Sequence, residues 1–374
     1  MNNRQKYFIN KNNIHILVPV YAGLGNLLLK TPFFKLLRDQ YPDSTIDVIT
    51  DSEFGTSFIL GETELVDNII NLPRTSSLKT FLKFFYKASG KYDLIIIGFD
   101  AQIWKLYLGA AISKAKILIG HTQKLTDLRS IPRVFLQTLL LDKKVKVLDN
   151  RHEIDLYLDL LEVQERPKNI YKTIAPNSKK LSKDTESMLQ KKGIKTANYI
   201  LIQLSAANGQ PTPKIWPKDY FQDLIEKFCQ KQINIIVVGD ENERKYSQDV
   251  LKKFDEKVLN LTGIIPLADV IYLIKNCNGI ICHDSGLMHI ANAFNTPLIA
   301  IFGPGNLIKN YPKSEKSNVA RIPLPCSPCI GTFYSGFKSE KDALALCPYE
   351  LACMRNIKPQ MIWKIAELNF NMST

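Results

Sequence analysis

No apolar run in this 374-residue chain approaches the roughly 20 residues that cross a bilayer. Helical membrane spans are therefore not expected. The opening stretch MNNRQKYFINKNN is polar and lacks the apolar centre of a secretion signal. Short repeats and low-complexity tracts are missing, which argues against a solenoid or a fibrous chain. No nucleic-acid-binding motif is present, so no nucleic-acid partner is expected. The one place where basic and aromatic residues interleave, FLKFFYK at 81–87, reads more simply as an amphipathic helix.

The residues that are present suit two ordinary domains, since 45% are hydrophobic and 23% charged, a globular balance. Seven cysteines without an export signal point to reduced thiols in a cytoplasm. The net charge of +13 is concentrated: Arg74 to Lys146 holds fourteen Lys and Arg against four Asp and Glu. Such a segment is either a solvated basic face or a field that draws anions, among them acidic lipid headgroups and phosphorylated substrates.

Strand-like and helix-like runs alternate throughout. IHILVPV (14–20), TIDVIT (45–50), YDLIIIGF (92–99) and KILIG (116–120) are nearly continuous apolar strands. After a polar stretch at 165–197 a second series follows: YILIQLS (199–205), INIIVVG (233–239), GIIC (279–282) and PLIAIFG (297–303). Continuous apolar strands separated by helices indicate parallel sheets covered on both faces. The expected fold is α/β, two doubly wound Rossmann-like domains. Residues 1–180 form the first domain, 181–356 the second, and 357–374 a C-terminal helix.

Ligands of such sheets bind beyond the carboxyl ends of the strands, so the strand-to-helix turns carry the chemistry. In YAGLGNLLLKTP, Gly23 and Gly25 could begin a dinucleotide fingerprint, with Asp51 as the ribose acid, but position 28 is Leu where the third glycine belongs. A nicotinamide-dependent oxidoreductase is thus a remote alternative, and a tight turn explains the glycines as well. In SAANGQPTPKIWPKDYF, Lys214 sits among prolines and Trp216 at a strand's carboxyl edge, a suitable place to meet an anion. In CHDSGLMHIANAF, Asp284, Ser285 and Gly286 open a helix whose first amides can hold a phosphate, with His289 one turn further on. Taken singly, Asp284 could be a plain cap and His289 a buried imidazole. Together with Gly286 and the Gly-Pro-Gly turn at 303–305 they favour a diphosphate site.

At these residues the sequence resembles the heptosyltransferases, the family 9 glycosyltransferases of GT-B fold. The matching segments are GLGNLLLKTPFFKLLRDQYPDSTIDVIT, YDLIII, PKIWPKDYF, VVGDENE, HDSGLMHIANAFNTPLIAIFGPG and a terminal C-x-x-C…C…C-M-x-x-I pattern, in order along most of the chain. The resemblance implies two facing domains with a cleft between them, a nucleotide-sugar donor on the second, and an acceptor on the first near Gly23, Gly25 and Asn26. The donor it implies is ADP-heptose and the acceptor an acidic glycolipid such as the lipopolysaccharide core. By position, Ser285 and Gly286 would hold the donor diphosphate with His289 close by. Lys214 would neutralise the leaving group, Asp284 would engage sugar hydroxyls and Glu241 the nucleotide ribose. Met288 shares the motif but sits at core spacing.

One departure concerns catalysis. The family keeps an aspartate after the first-turn glycine, where this chain has Asn26, and an amide cannot accept a proton at neutral pH. Asp100, past the 92–99 strand, is the substitute general base, unless the acceptor brings its own base or the chain only binds nucleotide sugars or glycolipid. No acidic pair adjoins the diphosphate elements, so inverting transfer without a metal is expected. Cys326, Cys329, Cys347 and Cys353 could form a zinc set, though reduced buried thiols are the simpler expectation. The insert at 330–346 marks a divergent member whose acceptor could be another glycan or a protein. The basic 74–146 segment would hold the enzyme peripherally at the anionic inner face of the inner membrane.

Overall fold

The computed structural model describes residues 13–51, 53–122, 131–161, 166–167, 169–195, 197–205, 213–254, 258–329 and 347–372. The small-residue turn at 206–212 and the insert at 330–346 lie outside the described residues. Two compact units divide the chain, Met1–Ile174 and Ala175–Thr374.

The first unit runs β1 (His15–Val20), α1 (Leu24–Leu28), α2 (Thr31–Gln40), β2 (Thr45–Thr50), α3 (Glu53–Leu60), β3 (Asn68–Asn71) and α4 (Leu78–Lys87). It continues with β4 (Leu94–Ile97), α5 (Trp104–Ile112), β5 (Ile117–Thr122), α6 (Ile131–Leu140), β6 (Lys143–Lys146) and α7 (Glu153–Leu158). The strands are parallel in the order β3-β2-β1-β4-β5-β6. β4 is buried along its whole length, which is why its sequence shows no polar alternation. Phe81 and Phe85 of α4, Leu106, Tyr107 and Ala110 of α5, and flanking Leu136 and Leu140 of α6 share one core cluster with Leu17, Ile95 and Ile97 of the sheet. These three helices therefore cover one face together, and Gln137 of α6 donates to the Tyr107 hydroxyl of α5 at 3.1 Å.

The second unit runs α8 (Lys183–Lys191), β7 (Ile200–Ile202), α9 (Lys218–Gln230), β8 (Ile235–Val237), a 3₁₀ turn (Glu241–Glu243), α10 (Arg244–Leu251), β9 (Val258–Asn260) and α11 (Leu267–Lys275). There follow β10 (Gly279–His283), α12 (Gly286–Phe294), β11 (Leu298–Phe302), α13 (Leu307–Asn310), β12 (Ser317–Arg321), α14 (Ala352–Arg355) and α15 (Pro359–Asn369). Its strand order, β12-β11-β10-β7-β8-β9, is the first unit's order read from the other edge. α15 belongs to this unit's core: Ile362, Trp363 and Ala366 are buried with Phe228 of α9, and the Trp363 and Phe228 rings lie 5.0 Å apart.

Both sheets reverse direction once, between β1 and β4 in the first and between β7 and β10 in the second. Such a switch point opens a crevice at the strands' carboxyl ends. Asn26 and Asp100 follow β1 and β4, while Gln203 and Asp284 follow β7 and β10. The fold thus assigns these residues to the crevices before their chemistry is considered.

Candidate active site

In the second unit β10 ends at His283 and α12 begins at Gly286. Ser285 occupies the N-cap position with extended φ and ψ of −146° and 174°, yet no side-chain hydrogen bond caps the helix. Its hydroxyl instead donates across the switch point to Gln203 Oε1 at 2.6 Å. Asp284 does not serve as the cap either: its Oδ2 accepts from Lys214 Nζ at 2.9 Å, with both side chains largely buried. The sequence reading of Asp284 as a plain cap gives way to an ion pair. The first amides of α12, left without a side-chain acceptor at the N-cap, stand beside a lysine and a hydroxyl, the groups that suit a phosphate. Gly305 of the Gly-Pro-Gly turn permits the close packing here, since a Cβ there would lie 2.6 Å from Asp284 Oδ2.

Three further residues hold this arrangement. Gln203 Nε2 donates to Glu243 Oε1 at 3.1 Å, and Glu243 Oε2 accepts the Asp240 amide at 2.9 Å. Asp240 and Glu243 form a capping box around the 3₁₀ turn that presents Glu241, whose carboxylate is exposed. Burial, opposed by the Asp240 amide, pushes the Glu243 carboxyl up to about 7. His283 fixes the other side: its Nε2 accepts the Trp216 amide at 3.0 Å, so Nδ1 carries the hydrogen and faces the Ser205 carbonyl. Burial pushes His283 down to about 4, hence it is neutral near pH 7 and anchors the segment that carries Lys214. His289 and Met288 are both buried on α12, Met288 completely, as its core spacing suggests.

In the first unit Gly23 is the N-cap of α1 with φ of −68°, and a Cβ would meet nothing within 4 Å. The turn does not need glycine's left-handed freedom, contrary to the tight-turn explanation; the glycine leaves open space. Gly25 is buried in α1, whereas Asn26 is exposed. Lys30, fully buried, donates to the Asn26 carbonyl at 3.0 Å and to Glu153 Oε1 at 2.9 Å, with Asp100 Oδ2 at 3.7 Å. It also lies 4.7 Å from the centre of the Tyr157 ring. Burial works against the Lys30 charge, but Asp100 and Glu153 outweigh it and raise its pKa. Burial raises the Asp100 pKa while Lys30 pulls it back, leaving a carboxylate of increased basicity one lysine away from Asn26.

The sequence profile of Glycosyltransferase family 9 (heptosyltransferase) matches residues 114–335. The chain belongs to glycosyltransferase family 9. It is an enzyme of the glycosyltransferase class, as its sequence resemblance implies. Lipooligosaccharide heptosyltransferase 2 of Haemophilus influenzae is 24% identical over 346 residues, 83% of this chain and 88% of the relative. ADP-heptose lps heptosyltransferase II of Escherichia coli superposes with a TM-score of 0.68 at 18% identity, covering 95% of this chain and 98% of that one. A second structure, the iron-containing dodecameric glycosyltransferase TibC of enterotoxigenic E. coli, reaches 0.56 at 12% identity over 96% of this chain and 76% of that one. These likenesses carry the GT-B fold, two six-stranded parallel sheets with flanking helices.

For this family 9 chain the cysteines give a separate result. Cys326, Cys329, Cys347 and Cys353 are free thiols. Burial first, then the neighbouring Cys329, Cys347 and Cys326, push the Cys353 thiol up to about 12, so the four thiols stand near one another. Among the described residues no group of three or more His, Cys, Asp or Glu is arranged to hold a metal ion, so the residues present do not fit the zinc set. Sequence reasoning missed Lys30, Glu153, Gln203, Glu243 and His283. A signal existed for two of them: Lys30 is the lone charge in LLLKTPFF, and Gln203 interrupts the apolar run YILIQLS.

Proposed function

We propose that the chain transfers a heptose from ADP-heptose to a hydroxyl of a lipopolysaccharide-core acceptor, with inversion and without a metal. It would act in the cytoplasm at the inner face of the inner membrane. The observation that carries the reading is the start of α12, where Ser285 bonds Gln203 and Asp284 bonds Lys214, with no side-chain cap on the first turn. A donor diphosphate supplies the missing acceptor. Glu241, exposed beside β8, would take the ribose hydroxyls, and Asp284 and His289 would line the sugar side. The names of the relatives from H. influenzae and E. coli agree with a heptosyl donor.

In this reading the acceptor oxygen attacks the anomeric carbon as the bond from that carbon to the diphosphate oxygen breaks. Asp100 takes the hydroxyl proton, a task Asn26 cannot perform, and the exposed Asn26 amide orients the acceptor. Lys214 and the α12 amides receive the charge that develops on the diphosphate. The positive groups needed for departure are therefore protein groups.

The test is heptose transfer to core acceptors in EDTA by the native chain and by Asp100→Asn, Asn26→Ala and His289→Ala, with metal analysis of the purified protein. Transfer in EDTA that Asp100→Asn abolishes supports the proposal. Activity restored only by magnesium or iron contradicts the metal-free reading. Donor binding with no transfer to any core acceptor leaves a nucleotide-sugar-binding role, which the Asn26 substitution favours.

A further inference from the structure

α4, α5 and α6 cover one face of the first sheet, and their sequences LKTFLKFFYK, WKLYLGAAI and IPRVFLQTLL contain no Asp or Glu. They hold five cations, Lys79, Lys83, Lys87, Lys105 and Arg133. The helices of the second unit differ: α9, α10 and α11 carry Asp219, Asp223, Glu226, Asp249 and Asp269. The acid-free layer also turns large apolar groups outward. Tyr86 is 74% exposed, Phe135 64% and Leu139 67%, and Ile131 completes a stripe on α6 at spacings of four. Burial within α4 does not require this, because Phe81 and Phe85 already fill its inner face. A groove of about 520 Å³ runs between α4 and the end of α5, lined by Leu78, Lys79, Leu82, Lys83, Tyr86 and Ile112.

An apolar face rimmed by cations and free of acids is costly in water and complementary to one surface: a layer of anionic headgroups above acyl chains. We propose that the outer face of α4, α5 and α6 docks on an anionic phospholipid bilayer. Lys79, Lys83 and Lys87 meet the headgroup phosphates, and Tyr86, Phe135 and Leu139 enter the interfacial zone. Charge complementarity selects this occupant over a second copy of the chain, since two such faces would repel. The inference locates on named residues the membrane contact expected from the sequence, and it does not depend on the donor or acceptor, so it stands or falls separately from sugar transfer.

The test is co-sedimentation of the full chain with phosphatidylcholine vesicles, with and without phosphatidylglycerol. Vesicle affinity should rise with phosphatidylglycerol and fall as salt screens the lysines. Lys79→Ala with Lys83→Ala should weaken it about 25-fold, at about fivefold per cation. Phe135→Ser with Leu139→Ser should weaken it roughly tenfold. All four positions are solvent-facing, and unchanged thermal unfolding of each variant would show that the fold is intact. The control Lys252→Glu with Lys253→Glu, exposed lysines of the second unit, should bind as the native chain does. Equal binding to neutral and anionic vesicles, or binding indifferent to the α4 and α6 variants, overturns the proposal. So does a native dimer in sedimentation velocity that Phe135→Ser with Leu139→Ser dissociates, because the face would then be a self-association surface.

Discussion

Lys30 in the first unit and Lys214 in the second each stand beyond the carboxyl edge of a sheet, next to the point where strand order reverses, and each faces an aspartate. Lys30 is sealed between Asp100, Glu153 and the Tyr157 ring. Lys214 pairs with the Asp284 carboxylate and keeps part of its surface in solvent. The enclosed cation cannot reach a ligand without unpacking and instead sets the electrostatics around Asp100. In the proposed reading the partly open one turns from Asp284 to the donor diphosphate. One topology thus holds a sealed lysine in one unit and a partly open one in the other.

The largest effects should separate the two lysines. Asp100→Asn should reduce kcat by about 10²–10⁴-fold with donor KM little changed, the range for a lost general base. Adding Asn26→Asp to that variant should recover part of the loss, because both positions adjoin Lys30. Lys30→Ala should instead act on stability, lowering it by about 3–5 kcal/mol in chemical denaturation, since it removes the cation that faces two buried carboxylates. If Lys30→Ala leaves the unfolding midpoint unchanged, the contrast between enclosed and open lysine is wrong.

Acid titration acts on buried groups in both units with energies of the same size. His121 on β5 and His283 on β10 are each pushed by burial to about 4. The unfolded chain protonates them near 6.5, so each contributes stability that is present above pH 6.5 and lost as pH falls to about 4, roughly 3 kcal/mol per histidine. Glu243 works in the opposite sense. Its carboxyl titrates near 7 in the fold and near 4.5 in the unfolded chain, so the stability it gives at low pH is lost as pH rises between those values. Two histidines outweigh one glutamate, and the net prediction is stability that falls on acidification from pH 6.5 to 4.5. Glu243→Gln should make that fall steeper, as followed by the denaturant midpoint at each pH.

Ser285→Ala should have the smallest effect. It removes one hydroxyl and leaves Gln203 Oε1 without that donor, about 1 kcal/mol, so donor affinity should weaken several-fold while kcat changes less.

The sheets were legible because their signal is local. Continuous apolar runs such as IHILVPV and PLIAIFG announce buried parallel strands, and β1 and β11 lie within them. The motif at 283–289 was legible for the same reason, since a helix start and its glycine are neighbours in sequence. The supporting groups were not. Lys30 meets Glu153 across 123 positions and His283 meets Trp216 across 67, so no window of sequence shows either pair. The sequence left a plain cap open for Asp284, because local spacing cannot reveal that Lys214, 70 residues earlier, claims its carboxylate. The acid-free helix layer was partly visible as a basic segment. Its apolar outer stripe depends on which side of α6 faces the sheet, and only the packed structure decides that.

In the proposed function the second unit's switch point grips a nucleotide diphosphate through Lys214 and the first turn of α12. Calorimetric titration of the full chain with ADP-heptose in EDTA tests it most directly. One site per chain is expected, weakened at least tenfold by Lys214→Ala and unaffected by Asp100→Asn. A titration without heat of binding, or an affinity indifferent to Lys214→Ala and Ser285→Ala, would contradict it.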